Sequence, residues 1–279
     1  MRINANAKIN LALDVGSKRD DGYHNVSMIM QEISLCDYLD IEINDTGKIS
    51  LFTESTETGS ETDNIAYKAA KTFFDNTKIQ KGCKIVLEKH IPVCAGLGGG
   101  SSDAAAVLRF LNSELDYPLS DDELLSLGLS LGADVPFCIM GKTALAEGIG
   151  EKLTKLGGIV PKWLALIKPD INISTGEAYR KIDSCSYPHP DVAACAESIL
   201  RGDMESLYKN AGNSFEYATD EASVKAIKEH MYSMGASFSM MSGSGPTVYG
   251  IFNSESEARK AYESYKGSFS GGGVAQFCV

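Results

Sequence analysis

The chain has 279 residues and a net charge of −11, with 43% hydrophobic and 23% charged residues. This composition is typical of a globular protein and is sufficient for one large domain or two ordinary ones. The acidic excess argues against nucleic-acid binding, because affinity for a polyanion depends on clustered Lys and Arg, which are dispersed here.

Membrane insertion, secretion and metal binding have no signal in the sequence. No apolar run approaches the roughly 18 residues that span a bilayer, and the first residues are strand-like rather than typical of a signal peptide. The seven cysteines form no C-x-x-C pair, and the four histidines lack ligand spacing. We therefore expect a cytoplasmic protein with free thiols, no metal held by protein side chains and no membrane partner.

The first segment predicts a long strand, because apolar and polar residues alternate over residues 3–15. Lys8 and Asn10 share the polar face, for which a solvent-facing or edge position is the simplest interpretation. A loop over residues 16–22 then presents Tyr23 and His24 side by side. Taken alone, such a pair indicates only that the two side chains lie at the protein surface.

Three further elements are predicted before residue 90. They are a hairpin of residues 39–43 and 49–52, a helix from Asp63 or Asn64 to Phe74, and a strand around Ile85 and Leu87.

A glycine-rich segment follows and leads into an apolar helix predicted over residues 104–115. Four of the residues 96–100 are glycines, so a ligand can approach the backbone closely, and N–H groups at a helix start lack intrahelical partners. Because the helix dipole adds partial positive charge, the segment predicts an anion site with a phosphate chain as its simplest occupant. The alternative is a flexible loop before a capped helix.

Two familiar phosphate motifs are excluded by position. A Walker A loop needs Lys after its last glycine, and a Rossmann fingerprint needs a sixth-position glycine; Ser101 occupies both places. The segment is therefore a different phosphate loop.

Asp134 lies in a loop between two predicted elements. The helix before it begins with a capping box, Ser120–Glu123, and ends at Gly132. Residues 137–140 are predicted to form a strand, and Gly141–Thr143 to turn into the next one.

The pattern restarts at Gly157-Gly158, which is the predicted boundary between domains of residues 1–157 and 158–279. The second half has strands and helices without repeating βαβ units, which predicts an α+β fold. Its predicted strands are residues 164–167, 237–241, 247–252 and 274–279, and its predicted helices are those after Ser174 and Ser254 and residues 191–200, 204–210 and 222–234.

Five blocks of the chain, in this order, resemble the GHMP kinases, which include galactokinase, homoserine kinase and mevalonate kinase. The glycine block, Gly96–Ala105, is shared by the superfamily. The blocks Asp21–His24 and Gly132–Phe137 are typical of a branch whose substrate carries cytidine diphosphate. The blocks are Ala7–Leu11, Asp21–His24, Gly96–Ala105, Gly132–Phe137 and Ser242–Pro246.

The resemblance implies a two-domain α+β architecture, with an N-terminal ATP-binding domain like ribosomal protein S5 and a C-terminal ferredoxin-like domain. It implies transfer of the γ-phosphate of ATP to the 2-hydroxyl of a cytidine-diphosphate-linked methylerythritol, in the non-mevalonate route to isoprenoids. Mg²⁺ is expected to bind mainly through phosphates. The partner would be this small molecule, and the chain a monomer or homodimer.

The resemblance also implies the roles of individual residues. Asp134 would be the catalytic base with Lys8 as its partner, Tyr23 and Tyr179 would stack on the two faces of cytosine, and His24 would bind its edge. The residues expected to contact ATP are Pro92, Val93, Cys94, Ala95, Gly96, Leu97, Gly98, Gly99, Gly100, Ser101 and Ser102, with Asn64 and Lys89 near the nucleotide. Those expected to bind the substrate are Asn10, Tyr23, His24, Thr175, Tyr179, Gly243, Ser244 and Gly245.

Several other functions remain open on the sequence. Another GHMP-type kinase, acting on mevalonate, homoserine or a sugar, would have no base for Tyr23 to stack on. A related decarboxylase would use the same fold and ATP. A nucleotide-binding sensor would keep the glycine loop without needing both Lys8 and Asp134, and a structural ion pair is the alternative for those two residues.

Overall fold

A computed structural model gives the structure of the protein, described here for residues 1–56, 59–184, 186–219 and 221–279. The chain forms two compact units. Unit 1 comprises Met1–Ala7, Cys36–Val93 and Gly98–Gly141, and unit 2 comprises Lys8–Leu35, Cys94–Leu97 and Lys142–Val279. Each unit is therefore assembled from three separate segments of the chain, whereas the predicted boundary at residues 157 and 158 would give two continuous domains. That boundary stays a prediction.

Two long strands, β1 (Arg2–Lys18) and β2 (His24–Asn44), contribute residues to both units. The alternation of small and branched apolar residues explains β1, which was predicted. The remaining elements of unit 1 are β3 (Ser50–Thr53), α1 (Ile65–Thr77), β4 (Gly82–Glu88), α2 (Gly99–Glu114), α3 (Asp121–Leu129) and α4 (Val135–Met140).

Strand β4 lies between β2 and β3 in unit 1. It pairs antiparallel with β2, with Tyr38 opposite Glu88, and parallel with β3, with Ser50 opposite Lys84. The predicted hairpin of residues 39–43 and 49–52 is therefore wrong. A β-carbon on Gly82 would lie 2.1 Å from the Lys48 carbonyl oxygen, so the glycine allows the chain to pass closely at this edge.

Two helices of unit 1, α1 and α3, begin as their capping residues predict, and α4 was predicted as a strand. Asn64 caps α1, and Ser120 and Glu123 form the predicted capping box of α3. The strand predicted at residues 137–140 is wrong, because the segment forms α4. A short apolar run fits a buried helix or strand equally, and Pro136 in the first turn costs the helix no hydrogen bond.

Unit 2 combines the start of β2 with an antiparallel sheet and helices. Residues 26–31 of β2 pair with β5 (Thr143–Gly148), which pairs with β6 (Lys152–Lys155). A second sheet has the strand order β10 (Phe269–Gln276), β7 (Trp163–Pro169), β9 (Val248–Phe252) and β8 (Phe238–Met241), and all of its strand pairs are antiparallel. The remaining elements are α5 (Thr175–Ile182), α6 (Val192–Leu200), α7 (Met204–Asn210), α8 (Ser214–Thr219), α9 (Ala222–Ser233) and α10 (Glu255–Ser264).

Helices α9 and α10 pack on the second sheet of unit 2. The apolar stripe of α9 forms core, with Ile227 and Met231 fully buried against the sheet that contains Tyr249. The predicted α+β class is confirmed. Among the described residues, no helix is both long and apolar enough to cross a membrane.

Candidate active site

In unit 1, helix α2 begins inside the glycine-rich segment, at Gly99 rather than at Ala104 as predicted. Its N-cap residue, Gly98, has a φ of 69° and offers no side-chain oxygen to the helix end. The first intrahelical bond runs from Ser102 N to Gly98 O at 2.8 Å. The N–H groups of Gly99, Gly100 and Ser101 therefore remain at an uncapped helix start, which is the arrangement that favours a phosphate group.

The two serines of this segment differ in what their hydroxyls contact. Ser102 is buried, and its Oγ donates to the Asn6 carbonyl oxygen at 2.6 Å. Ser101 is half-buried, and a β-carbon on Gly132 would lie 4.0 Å from its Oγ. Ser101 is therefore the better placed of the two to meet a phosphate oxygen.

Asp134 also belongs to unit 1, at the N-cap position of α4. The residue is half-buried, and its side chain does not cap the helix. Its loop includes Gly132, which lies next to Ser101. The carboxylate is thus presented from the same unit as the uncapped start of α2, while its role as base stays a prediction.

Lys89 lies behind the glycine segment and is held by two buried carboxyl groups. Its Nζ contacts Asp37 Oδ2 and lies 2.8 Å from Asp103 Oδ2. Asp37 also accepts hydrogen bonds from the backbone N–H groups of His90, at 2.5 Å, and Ile91, at 2.8 Å. Lys89 was predicted from the sequence, and both aspartates emerge from the structure, although a charged residue within the apolar start of α2 was an available signal.

Burial raises the pKa of Asp103 to about 8, against the opposing pull of Lys89 and with the support of the Asp37 carboxylate. Burial alone would lower the pKa of Lys89, but the Asp103 and Asp37 carboxylates outweigh it and raise that pKa. Asp103 therefore holds its proton more strongly than an exposed carboxyl group does, and Lys89 remains charged.

Two predicted nucleotide contacts have local structural roles. The Asn64 side chain accepts a hydrogen bond from Ala66 N at 2.9 Å and so caps α1. Cys94 is exposed and has a φ of 52°, so it does not fill space in the core as its size would favour. Contacts of either residue with ATP stay predictions.

In unit 2, the polar face of β1 is buried, so the solvent-facing interpretation of Lys8 and Asn10 is wrong. Lys8 is 5% exposed and Asn10 is 0% exposed. Lys8 Nζ donates to Asn10 Oδ1 at 3.1 Å, and Tyr249 OH donates to the Asn10 carbonyl oxygen at 2.9 Å. A polar pair buried in this way must be held by partners, which makes it a stronger candidate for function than a solvated face.

The turn between β8 and β9 lies against this polar pair. A β-carbon on Gly243 would lie 3.4 Å from Lys8 Nζ and 3.5 Å from Asn10 Oδ1. A β-carbon on Gly96 would lie 2.1 Å from the Ser242 carbonyl oxygen, and Ser242 Oγ donates to Gly96 O at 2.9 Å. The structure thus brings together four residues that were predicted separately, namely Lys8, Asn10, Gly96 and Gly243.

Asn213 holds the same turn in place, and the sequence analysis missed it. Its Nδ2 donates to the carbonyl oxygens of Met241 and Gly243, each at 2.8 Å. Two other predicted residues meet here, since Thr175 Oγ1 lies 2.8 Å from Ser244 Oγ. Only long-range packing places Asn213 here, so no local pattern could have identified it.

The aromatic residues predicted for substrate binding all belong to unit 2, and two of them are in contact. Tyr23 is 61% exposed, whereas His24 is buried, so only one of the pair is surface. The Tyr179 ring stacks on His24 with centroids 4.9 Å apart. His24 Nε2 lies 2.6 Å from Asp183 Oδ1, and this hydrogen bond lowers the pKa of Asp183.

The two halves of the chain match the two parts of one kinase family. The model of the GHMP kinases N terminal domain matches residues 64–142, and that of the GHMP kinases C terminal matches residues 195–271. Two curated relatives are 4-diphosphocytidyl-2-C-methyl-D-erythritol kinases. The enzyme of Clostridium acetobutylicum is 44% identical over 95% of this chain and 96% of its own length, and that of Listeria monocytogenes is 42% identical over 95% and 92%.

Solved structures agree with the sequence matches. A crystal structure of 4-(cytidine 5'-diphospho)-2C-methyl-D-erythritol kinase aligns with a TM-score of 0.82 and 31% identity, covering 99% of each chain. A homoserine kinase from Cytophaga hutchinsonii aligns with a TM-score of 0.76 over 100% of this chain and 94% of its own. At 16% identity, the second likeness shows the fold alone.

Proposed function

Since this chain belongs to the 4-diphosphocytidyl-2-C-methyl-D-erythritol kinases within the GHMP kinase family, we propose that it transfers the γ-phosphoryl group of ATP to the 2-hydroxyl of that cytidyl substrate. The observation that carries the proposal is 44% identity over 95% of the chain to an enzyme of that name. The product would belong to the non-mevalonate route to isoprenoids. A cytoplasmic location and a monomeric or dimeric state remain predictions.

The triphosphate would bind at the uncapped start of α2. Three backbone N–H groups, those of Gly99, Gly100 and Ser101, are available there, and the helix dipole favours anionic oxygen at this end. The chain has an overall charge of −11, so local donors rather than the net field must hold the phosphates. When bound with ATP, Mg²⁺ would offset the triphosphate charge.

The residues available to Mg²⁺ fit a metal that is held mainly by phosphate oxygens. Within the described ranges, no three side chains of His, Cys, Asp or Glu form a group that could hold a metal ion. Mg²⁺ commonly binds through substrate phosphates and only a few protein groups. The protein itself would contribute the hydroxyl of Ser101 to the metal, while the helix start would hold the phosphate oxygens.

Asp134 would orient the attacking hydroxyl and accept its proton. Phosphoryl transfer has a loose transition state, so the proton can leave late and the orientation of the nucleophile matters more than the strength of the base. The Lys8 ammonium would stabilise negative charge on the transferring group. The buried pairing of Lys8 with Asn10 supports this role, because it fixes the ammonium in one position.

Cytosine recognition would use Tyr23, His24 and Tyr179. Aromatic faces offer stacking surface, and a histidine ring nitrogen can form a hydrogen bond with the base edge. The exposure of Tyr23 and the stacking of Tyr179 on His24 support an aromatic subsite in unit 2. Mevalonate, homoserine and sugars have no base for such a subsite.

An ADP-release assay with the purified protein tests the proposal. The cytidyl substrate, mevalonate, homoserine and galactose are offered separately with ATP and Mg²⁺, and turnover is expected with the first alone. Turnover with one of the other three and not with the cytidyl substrate would overturn the substrate assignment. ATP binding without turnover on any of them would favour the nucleotide sensor.

A further inference from the structure

The strongest polar cluster that phosphoryl transfer leaves unexplained is the triad Asp37, Lys89 and Asp103 in unit 1. The three side chains are 0%, 8% and 3% exposed. Burial of three ionisable groups is costly unless their charges and hydrogen bonds are matched. This cost indicates that the triad has a task beyond filling space.

The triad joins the segment that enters the glycine loop to the helix that leaves it. Asp37, on β2, accepts from the backbone N–H groups of His90 and Ile91 and so fixes the entering segment. Lys89 reaches from this segment to Asp103, which lies one turn inside α2. One buried cation thus ties β2, the entering segment and α2 together.

The first residue of α2 lies directly on the triad. A β-carbon on Gly99 would lie 3.3 Å from Lys89 Nζ and 3.0 Å from Ile91 Cγ2. Gly99 therefore has little room for a side chain beside Lys89 and Ile91, and the backbone of the first turn of α2 lies close to the triad. The N–H groups proposed to hold the triphosphate begin at this residue, so their direction depends on where the triad holds the helix.

The charges of the triad suit a site beneath phosphates. The raised pKa of Asp103 favours its neutral form, which reduces the negative charge below the helix start. The Oδ1 atom of Asp103 is buried and has no hydrogen-bond partner among the described residues. A neutral carboxyl group tolerates such a position better than a carboxylate does.

We propose that Asp37 and Asp103 are positioning residues for ATP, which hold Lys89 and thereby fix the first turn of α2 in its phosphate-binding direction. The inference rests on the proposed function only in taking ATP as the ligand of this helix start. Neither aspartate is proposed to touch the nucleotide. Their effect should appear in ATP affinity and not in the affinity for the second substrate.

The test compares Asp103→Leu with Asp103→Asn. Leu has a similar size but cannot accept a hydrogen bond from Lys89, whereas Asn keeps an acceptor and matches the neutral carboxyl group. We expect Asp103→Leu to weaken binding of a non-hydrolysable ATP analogue at least fivefold by calorimetry, and Asp103→Asn to change it less than twofold. In steady-state assays, Asp103→Leu should raise KM for ATP and leave KM for the cytidyl substrate unchanged.

Ser120→Ala is the matched control. It removes the capping box of α3 in the same unit, so it lowers stability without touching the triad. Its melting temperature should fall while its affinity for the ATP analogue stays at the wild-type value. If Asp103→Leu does not fold, Asp37→Asn replaces it, because Asn retains the acceptor for His90 N and Ile91 N but weakens the hold on Lys89; analogue binding should then weaken at least threefold.

Wild-type affinity for the ATP analogue in the folded test variant would overturn the inference, because the triad would then be structural only. Equal losses in Asp103→Leu and Ser120→Ala would overturn it as well, since general destabilisation would account for both. The binding measurement needs no phosphoryl acceptor. It therefore separates a failure of this inference from a failure of the substrate assignment, which would abolish turnover and leave analogue binding intact.

Discussion

Asp134 is the residue on which the proposed chemistry depends most directly. Asp134→Asn keeps the size of the side chain but cannot accept a proton, so we expect kcat to fall by about 10²–10⁴. Binding of a non-hydrolysable ATP analogue should stay within twofold of wild type. Asp122→Asn, which changes an exposed carboxylate in the first turn of α3, is the control and should be fully active. Near-normal kcat in Asp134→Asn would remove the assignment of the base.

Asp183 determines how His24 presents its ring. An ionised carboxylate can only accept, so the hydrogen bond of 2.6 Å keeps a proton on Nε2 of His24 and fixes the orientation of the ring. In Asp183→Asn, the amide can donate or accept, so the ring is no longer held in one tautomer. We expect KM for the cytidyl substrate to rise about tenfold, the order expected from losing one hydrogen bond, while KM for ATP stays constant.

A second aspartate of unit 2 provides the control for this experiment. Asp203 caps α7 by accepting from Ser206 N at 3.0 Å, and asparagine caps helices equally well. Asp203→Asn should therefore leave both KM values unchanged. An unchanged KM for the cytidyl substrate in Asp183→Asn would show that the tautomer of His24 does not matter for substrate binding.

Asp103 should make stability depend on pH in an unusual direction. Its pKa is about 8 in the folded protein and near 4 in the unfolded chain. Between these values the folded protein binds the additional proton, so the contribution of Asp103 to stability is complete below about pH 4 and is lost as pH rises to about 8. The asparagine of Asp103→Asn does not titrate in this range. The melting temperature of this variant relative to that of wild type should therefore rise by about 3 °C or more from pH 5 to pH 8.

Thermal melts of both proteins at pH 5, 6, 7 and 8 measure this effect. Asp122→Asn, whose side chain is exposed, should keep a constant difference from wild type over the same range. A melting-temperature difference between Asp103→Asn and wild type that is constant with pH would show that Asp103 titrates normally in the folded state.

At the scale of elements, the contact between the glycine loop and the β8–β9 turn depends on Gly96. Its φ is +74°, and a β-carbon would lie 2.1 Å from the backbone oxygen of Ser242. Gly47 has a similar φ of +70° with nothing within 4 Å of the added atom. Gly47→Ala should therefore cost only the backbone strain, about 1–2 kcal/mol.

Gly96→Ala incurs the same backbone strain and must also displace the β8–β9 turn. We expect its loss of unfolding free energy to exceed that of Gly47→Ala, and KM for the cytidyl substrate to rise, because Gly243 in the turn adjoins Lys8 and Asn10. Denaturant unfolding and steady-state kinetics of both variants test this. Equal stability losses and unchanged kinetics would show that the turn adapts to the side chain at no cost.

Elements with a clear period or cap were predictable from the sequence, and those defined by distant pairing were not. The alternation in β1 and the capping box of α3 are local signals, and both were found. Helix α4 was mistaken for a strand because an apolar run of 6 residues has no distinguishing period. The position of β3 depends on β4, some 30 residues later along the chain, and no local pattern reports it.

The site divides in the same way. The glycine loop was predicted as an anion site from its residue pattern, and the roles of Lys8 and Asp134 were predicted from the resemblance of their sequence blocks to the GHMP kinases; these roles stay predictions. The burial of Lys8 was not predicted from the sequence, because the alternation of a strand does not indicate which of its faces is covered. Asp37 and Asn213 act through hydrogen bonds to residues far away in the sequence, so they emerged only from the structure.

At the scale of the whole molecule, the fold does not select the substrate. A homoserine kinase and a Methanococcus jannaschii mevalonate kinase align with TM-scores of 0.76 and 0.73 but share only 16% and 15% of residues. A common architecture can host different substrates, so selectivity must reside in local side chains. In this chain we propose that these side chains are the aromatic and polar residues of unit 2, above all Tyr23, His24 and Tyr179.

The predicted division at residues 157 and 158 can be tested by cutting the chain there. Unit 2 is built from both fragments, since Leu13 bridges to Asn213, Ile33 bridges to Phe277, and the fully buried Tyr249 donates to Asn10 O. Residues 158–279 alone would expose this apolar surface, so we expect a fragment without a cooperative thermal transition. Co-expression with residues 1–157 should restore one, because the missing strands return. A cooperative transition of the isolated fragment, seen by circular dichroism, would instead establish residues 158–279 as an autonomous domain.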